Sequence, residues 1–151
     1  MLPRILTSLL ALIAATTAAS ALSVDTALNS GDTVPSVQVR TENGNYVNLA
    51  DKLAGKTTVL VFYRGGWCPY CNKHLQALAE IESELLSLGT FIYAISPDSP
   101  ESLKATPERK KIGYTLLSDS SANAAAAFGL VFKVEDELVS KYKNEYQIDI
   151  E

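Results

Sequence analysis

The chain has 151 residues with 13 basic and 17 acidic side chains, so its formal net charge at pH 7 is −4. This acidic balance argues against nucleic acid and against an anionic membrane surface as partners. The length is sufficient for one domain with a hydrophobic core, and the two cysteines are too few for a framework of several disulfides.

The first residues predict a secretory signal peptide, residues 1–21. Arg4 supplies a positive charge, residues 5–18 carry none, and the small residues 19–21 have the form of a cleavage site that ends at Ala21. An uncleaved membrane anchor is the alternative, but the apolar run is shorter than the roughly 20 residues of a spanning helix. We therefore expect an exported protein, periplasmic or secreted, whose thiols meet an oxidising environment.

The next part of the chain predicts a loose segment followed by a hairpin. Residues 22–33 are polar and predict a flexible N-terminal segment, and residues 34–151 predict one domain. Residues 34–39 alternate apolar and polar side chains, as a half-exposed edge strand does, and an Asn-Gly turn separates them from residues 46–49. The pattern predicts two neighbouring antiparallel strands.

A buried strand and a long helix follow. Residues 58–63 are apolar after their first threonine, which predicts a central strand covered on both faces. Leucine and isoleucine side chains then recur at spacings of three and four from Leu75 to Leu88, which predicts one amphipathic helix that Gly89 ends. Residues 91–95 predict a second buried strand.

The second half of the chain continues this alternation. Ser99 predicts an N-cap and Pro100 the first position of a helix that Pro107 limits. A short strand and two further helices are predicted at residues 114–117, 118–128 and 135–146. Strands that alternate with helices predict an α/β domain, in which helices flank a central, mostly parallel sheet.

The residues with the clearest chemical potential are the two cysteines, in the run Trp-Cys-Pro-Tyr-Cys at residues 67–71. Proline is favoured at the first helical position, so Pro69 makes Cys68 the N-cap and Cys71 the third helical residue. A Cys68 thiolate can then accept hydrogen bonds from free amides, and the helix dipole favours negative charge at both sulfurs. We therefore expect both thiols to have pKa values below the free value of about 8.5.

A redox role explains this pair better than a structural one, because a disulfide between residues three apart closes too small a loop to add much stability. The residues that we expect to bind substrate or to stabilise the thiolate are Tyr63, Arg64, Trp67 and Pro69. An exposed loop arginine is the alternative interpretation of Arg64, whereas Trp67 is expected to cover the cysteines. Cys68, Cys71 and His74 could instead bind zinc or copper, but no fourth ligand is evident. We expect no metal and no cofactor.

Residues 61–71, with the sequence VFYRGGWCPYC, strongly resemble the peroxiredoxin-like branch of the alkyl hydroperoxide reductase and thiol-specific antioxidant family. The resemblance continues through residues 94–101, 116–119 and 128–133. It implies a thioredoxin-like fold and a thiol-dependent peroxidase that reduces hydrogen peroxide or organic hydroperoxides. It also implies an external thiol reductant, such as a thioredoxin-like protein or glutathione.

The resemblance leaves open which cysteine attacks the peroxide. Counting from the Phe-Tyr end of the strand, as in peroxiredoxins, selects Cys71, whereas the Trp-Cys pair of thioredoxins selects Cys68. Two other functions remain as alternatives. One is a thioredoxin-like thiol-disulfide oxidoreductase, and the other is a metal-binding or non-catalytic interaction module.

One departure from the family pattern lies near the C-terminus. The family ordinarily adds a closing hairpin and helix there, but no strand pair is predicted after Phe132. We therefore expect a C-terminally short domain, and this departure weakens the prediction of activity more than that of the fold. An exposed sheet edge would then be available to a partner, and a homodimer is one such arrangement.

Overall fold

The computed structural model describes residues 27–106, 111–148 and 150 of the chain. The predicted signal peptide and its cleavage site lie outside these residues, and so does Pro107. None of the helices in the described ranges has the length and apolar character needed to cross a lipid bilayer.

Five strands form one mixed sheet in the order β2-β1-β5-β4-β3. Their bounds are β1 (Gln38–Thr41), β2 (Tyr46–Asn48), β3 (Thr57–Phe62), β4 (Thr90–Ser96) and β5 (Thr115–Ser118). β3, β4 and β5 are mutually parallel neighbours, with Val59 opposite Ile92 and Ile95 opposite Leu117. β1 pairs antiparallel with both β5 and β2, so the predicted hairpin is confirmed.

The two core layers lie on opposite faces of the sheet, and the described residues form six helices. They are α1 (Leu49–Leu53), α2 (Pro69–Glu80), α3 (Glu82–Ser87), α4 (Pro100–Ala105), α5 (Asn123–Ala127) and α6 (Asp136–Tyr146). Alternate side chains of β4 enter opposite core layers: Ile92 and Ala94 pack with Leu75, whereas Tyr93 and Ile95 pack with Leu49. The predicted α/β architecture, a sheet between two helical layers, is confirmed.

The prediction that residues 58–63 form a central strand is wrong. Among the described strands β3 lies at the edge of the sheet, and its inner neighbour β4 has five buried residues in succession. The apolar run correctly reports that both faces of β3 are covered, because Val59 and Leu60 pack against different core layers. Coverage of the faces does not specify how many strands lie alongside.

The predicted helix from Leu75 to Leu88 is divided in two. Ile81 has φ −102° and ψ 2°, which interrupts the helix between α2 and α3. Glu82 and Glu84 then occupy the first turn of α3, where negative charge is favourable. The apolar spacing continues across the interruption, so periodicity alone does not reveal it.

The C-terminal part contains two helices. α5 starts later than predicted, at Asn123, and the Asp119 carboxylate accepts hydrogen bonds from the amides of Ala124 and Ala125 at 3.0 and 2.8 Å. α6 is confirmed at the predicted place. Between Asp119 and Ile148 the structure describes these helices and no strand.

Candidate active site

The turn between β3 and α2 carries both cysteines. Cys68 has extended backbone angles, φ −89° and ψ 109°, and is the N-cap of α2, while Pro69 occupies the first helical position. The amide of Cys71 donates a hydrogen bond to Cys68 Sγ at 3.4 Å. The placement predicted from the proline is therefore confirmed, and the two side chains meet within one helical turn.

The two sulfurs differ in their surroundings, although both cysteines are free thiols. The Cys68 side chain is 2% exposed. Cys71 is half-buried and packs against the core layer that contains Tyr63 and Leu75. The first cysteine thus belongs to the turn and the second to the edge of the core.

The two thiols also differ in acidity. Burial acts to raise the pKa of Cys68, but hydrogen bonds from Cys71 and the Arg64 charge outweigh it, so the pKa of Cys68 is lowered. Burial and the hydrogen bond to Cys68 raise the pKa of Cys71. The expectation of two acidic thiols is right for Cys68 and wrong for Cys71, because a thiol that donates its proton to a neighbouring thiolate is held in the protonated form.

The guanidinium of Arg64 lies over two aromatic rings that are nearly perpendicular to each other. Its central carbon is 4.8 Å from the centroid of the Trp67 ring and 5.0 Å from that of the Tyr142 ring. The two rings meet edge-on at 6.3 Å, so a residue of α6 completes a stack that begins in the turn before α2. The Arg64 charge acts to lower the pKa of both thiols.

A pocket of about 340 Å³ opens beside this stack. Its walls come from the turn, the first residues of α2 and the inner side of α6. The lining residues are Arg64, Trp67, Cys68, Pro69, Tyr70, Leu138, Lys141, Tyr142, Tyr146 and Ile148. The structure thus brings Arg64, Trp67 and Pro69 together with Cys68, as predicted, in a wall of aromatic and aliphatic side chains that carries two cations.

Tyr63 lies elsewhere. Its side chain is buried in the core layer that Cys71 contacts, and its hydroxyl has no hydrogen-bond partner within the described part of the chain. Burial raises the pKa of Tyr63 to about 12, with Ser96 acting in the opposite direction. Tyr63 is therefore a neutral neighbour of Cys71, and it does not line the pocket with Cys68.

The backbone of Gly66, two residues before Cys68, is held from both sides. Its amide donates to Asp98 Oδ2 at 2.8 Å, and its carbonyl accepts from Asn72 Nδ2 at 2.8 Å. Ser96 Oγ donates to the same Asp98 oxygen at 3.0 Å. The sequence did not reveal the roles of Asp98 and Asn72, although Asp98 lies two residues after the end of β4, within a segment that carries the family resemblance.

Gly65 completes the turn. Its φ is +140°, and an added Cβ would lie 2.7 Å from the indole nitrogen of Trp67 and 3.0 Å from Asp98 Oδ1. A residue with a side chain is therefore strained here and would displace Trp67 from its stack.

The metal alternative gains no support from the geometry. In residues 27–106 and 111–148, no three or more His, Cys, Asp and Glu side chains form a group that could hold a metal ion. This includes Cys68, Cys71 and His74, which the sequence suggested as a ligand set.

Comparison with known proteins gives consistent results. The sequence model of the AhpC/TSA family matches residues 30–148. The Escherichia coli protein named peroxiredoxin Bcp is 31% identical over 103 residues, which are 68% of this chain and 65% of that protein. The chain thus spans slightly less than two thirds of that relative's length.

The fold of this chain resembles those of solved structures. The crystal structure of the peroxidoxin BcpB from Mycobacterium tuberculosis has a TM-score of 0.60 and 28% identity, and the match covers 66% of this chain and 64% of that one. Reduced Prx3 from Vibrio vulnificus, solved in complex with H2O2, has a TM-score of 0.63 at 23% identity, covering 68% of each chain. The thioredoxin-like fold implied by the sequence resemblance is confirmed by this likeness.

Proposed function

Because the chain belongs to the AhpC/TSA family, we propose that it is a thiol-dependent peroxidase that reduces hydrogen peroxide or organic hydroperoxides through Cys68 and Cys71. The observation that carries this proposal is the N-cap thiol of Cys68, whose pKa is lowered and which lines an open pocket beside a fixed cation. A thiolate that is populated near neutral pH is the form of cysteine that attacks a peroxide. The expected role is antioxidant defence.

Cys68 is the attacking residue in this proposal. Its thiolate attacks the terminal oxygen of the hydroperoxide and the O–O bond breaks, so the sulfur becomes a sulfenic acid. The other oxygen leaves as an alkoxide or hydroxide, which takes up a proton from solvent. Arg64 lines the same pocket as Cys68, where its charge can stabilise the thiolate and the departing oxygen. Cys71, with its raised pKa, keeps its proton during this step.

Cys71 then completes the reaction. Its sulfur attacks the Cys68 sulfenic acid, forms a disulfide and releases the oxygen as water, with the Cys71 proton transferred to it. The N-cap and the third helical position are close enough for this bond. A thioredoxin-like protein or glutathione would return the pair to two thiols by supplying two electrons and two protons.

The test uses Trp67, the only tryptophan of the chain, which lies next to Cys68. The reduced protein is mixed with hydrogen peroxide, and its fluorescence is followed in a stopped-flow instrument. We expect a second-order rate well above that of a free thiol at the same pH. Rates equal to that of a free thiol would contradict the proposal.

Two variants assign the steps. Cys71→Ser should retain the fast first phase and accumulate a sulfenic acid that a dimedone-type probe traps. Cys68→Ser should lose the fast phase and trap no probe. The reverse pattern would make Cys71 the attacking residue, as the register of the peroxiredoxin sequence indicates.

A second candidate is a thiol-disulfide oxidoreductase, which the same observation favours. In such an enzyme the Cys68 thiolate attacks a protein disulfide instead of a peroxide, and the Cys71 thiol resolves the mixed disulfide. Reduction of insulin by the dithiol form, measured against the peroxide rate, distinguishes the two. Fast insulin reduction together with a slow peroxide reaction would select this alternative.

We also propose that the protein is exported, with cleavage after Ala21. This proposal rests on the charge and residue pattern of positions 1–21. Expression of the full chain, cell fractionation and N-terminal sequencing provide the test. A mature protein that begins at Leu22 outside the cytoplasm supports export, and an intact N-terminus in the cytoplasm contradicts it.

A further inference from the structure

The C-terminal helix α6 contacts Arg64 through one half-buried side chain, that of Tyr142. In α6 only Val139 and Tyr142 are half-buried, and the other residues are exposed. The Tyr142 ring contacts the Arg64 guanidinium at 5.0 Å and meets the Trp67 ring edge-on at 6.3 Å. Arg64 itself is exposed, and among the described residues two ring faces, and no carboxylate, contact its guanidinium.

We propose that Tyr142 is a positioning residue, which holds the Arg64 guanidinium toward Cys68. This inference deepens the proposed function and rests on it, since Arg64 is the cation that the mechanism assigns to the thiolate. Without the Tyr142 face, Arg64 keeps only the Trp67 ring and gains rotamers that point into solvent. α6 is then part of the active site.

Other groups near the sulfur could also influence it. Cys71 and Tyr70 approach from α2, and Lys141 and Tyr146 face the same pocket from α6. Tyr142 differs from these residues in that its ring contacts Arg64, and a hydrogen bond with Tyr142 raises the pKa of that guanidinium. We therefore expect Tyr142 to affect the pKa of Cys68 only through Arg64, and this expectation can be tested separately.

The experiment titrates one thiol in the full chain. In the Cys71→Ser background the ultraviolet absorbance of the Cys68 thiolate is followed against pH, a readout that needs no peroxide. Tyr142→Leu, which keeps apolar bulk and removes the ring, should raise the pKa of Cys68 by about half a unit. Tyr142→Phe keeps the ring and should produce a smaller rise.

The matched control is Tyr46→Leu. Tyr46 also lies under an arginine, with the Arg40 guanidinium 5.9 Å from its ring, but it belongs to β2 at the opposite edge of the sheet. Its loss should leave the Cys68 titration unchanged. Circular dichroism of each variant reports whether α6 is still formed.

A double-mutant cycle decides whether Tyr142 acts through Arg64. Arg64→Ala alone should raise the pKa of Cys68, and adding Tyr142→Leu to it should cause no further rise. Additive shifts, or equal shifts for Tyr142→Leu and Tyr46→Leu, would overturn the inference. A raised pKa with an unmeasurable peroxide rate in the parent protein would instead keep the positioning role and reject the peroxidase.

Discussion

Helices α2 and α4 begin in the same way but with different side chains. Each follows a parallel strand, each has proline at its first position, and each has an N-cap side chain that accepts a hydrogen bond from the amide three residues later. That bond is 3.4 Å at Cys68 and 3.2 Å at Ser99. The third helical residue repeats the N-cap chemistry in both cases, as Cys71 and as Ser102.

The surroundings of the two helix starts differ. At α4 the proline is buried and the Ser102 side chain is exposed, so the start of the helix serves packing. At α2 the proline is exposed, the sulfur of Cys68 is buried, and Arg64 lies beside it. The capped turn therefore occurs twice in this fold, and in one copy the sulfur of Cys68 and the charge of Arg64 make it a reactive site.

The largest effect on reactivity should come from giving α2 a serine N-cap, as α4 has. Cys68→Ser keeps an N-cap that accepts from the Cys71 amide, so the melting temperature should change little. The peroxide reaction should fall on the order of a thousandfold or more, as for loss of a covalent nucleophile. Stopped-flow rates and thermal denaturation measure the two quantities, and a large fall in melting temperature would show that sulfur itself supports the turn.

The next effect concerns Asp98, which connects the two helix starts because it precedes Ser99 and accepts from the amide of Gly66. Asp98→Ala leaves that part-buried amide without its acceptor and should lower the free energy of unfolding by about 1 to 2 kcal/mol. The thiol rate should fall as well, since the turn loses its support. Urea denaturation and alkylation rates provide the measurement.

The matched control for Asp98 is Asp136→Ala. Asp136 forms an exposed ion pair with Lys133 at 3.4 Å, and its loss should change the free energy of unfolding by less than about 0.5 kcal/mol. Equal losses of unfolding free energy in the two variants would show that the hydrogen bond from Gly66 to Asp98 contributes no more than an exposed ion pair does.

A smaller effect is expected at Ser99, the N-cap of α4. Ser99→Ala removes the N-cap of α4 and should destabilise the protein by about 1 kcal/mol, with Ser99→Asp restoring most of it. The reactivity of the cysteines should not change, because this cap lies on the other helix. If the alkylation rate of Cys68 fell in step with stability, the two helix starts would be coupled more tightly than their contacts indicate.

The smallest effect is a pH dependence of stability that only the helix with a cysteine N-cap, α2, can have. A lowered pKa in the folded state means that the Cys68 thiolate stabilises the fold above the ordinary thiol pKa, and this contribution is lost as pH falls through the lowered value. The raised pKa of Cys71 acts in the opposite sense, so the comparison is made with Cys71→Ser against the double serine variant. Urea denaturation should show their difference in unfolding free energy growing from neutral to alkaline pH, and a constant difference would argue against an acidic Cys68.

Local sequence signals predicted the parts of the fold that depend on neighbours in the chain. Pro69 and Pro100 fix where two helices begin, and the Asn-Gly turn fixes the hairpin, because each acts through its own backbone geometry. The edge position of β3 could not be predicted in this way. It depends on which strands lie alongside, and the apolar run of β3 carries no such information.

The candidate site shows the same difference between local features, which the sequence predicted, and distant contacts, which it did not. The N-cap placement of Cys68 and its acidity followed from the helix start, whereas the raised pKa of Cys71 depends on the proton that the two sulfurs share. Asp98 lies 32 positions from Gly66, and Tyr142 lies 75 positions from Trp67, the residues that they contact. No local pattern connects residues so far apart, so only the folded chain shows that they meet.

The single helical turn shared by Cys68 and Cys71 has a consequence for motion. Oxidation closes a ring over Pro69 and Tyr70 while the amide of Asn72 can keep its 3.0 Å bond to the carbonyl of Cys68, so no helix needs to unwind between redox states. Amide hydrogen exchange along α2 should then be nearly the same in dithiol and disulfide forms. A partner that binds only one redox form must therefore contact the sulfurs and the aromatic side chains around them, since the backbone of α2 has the same conformation in both forms.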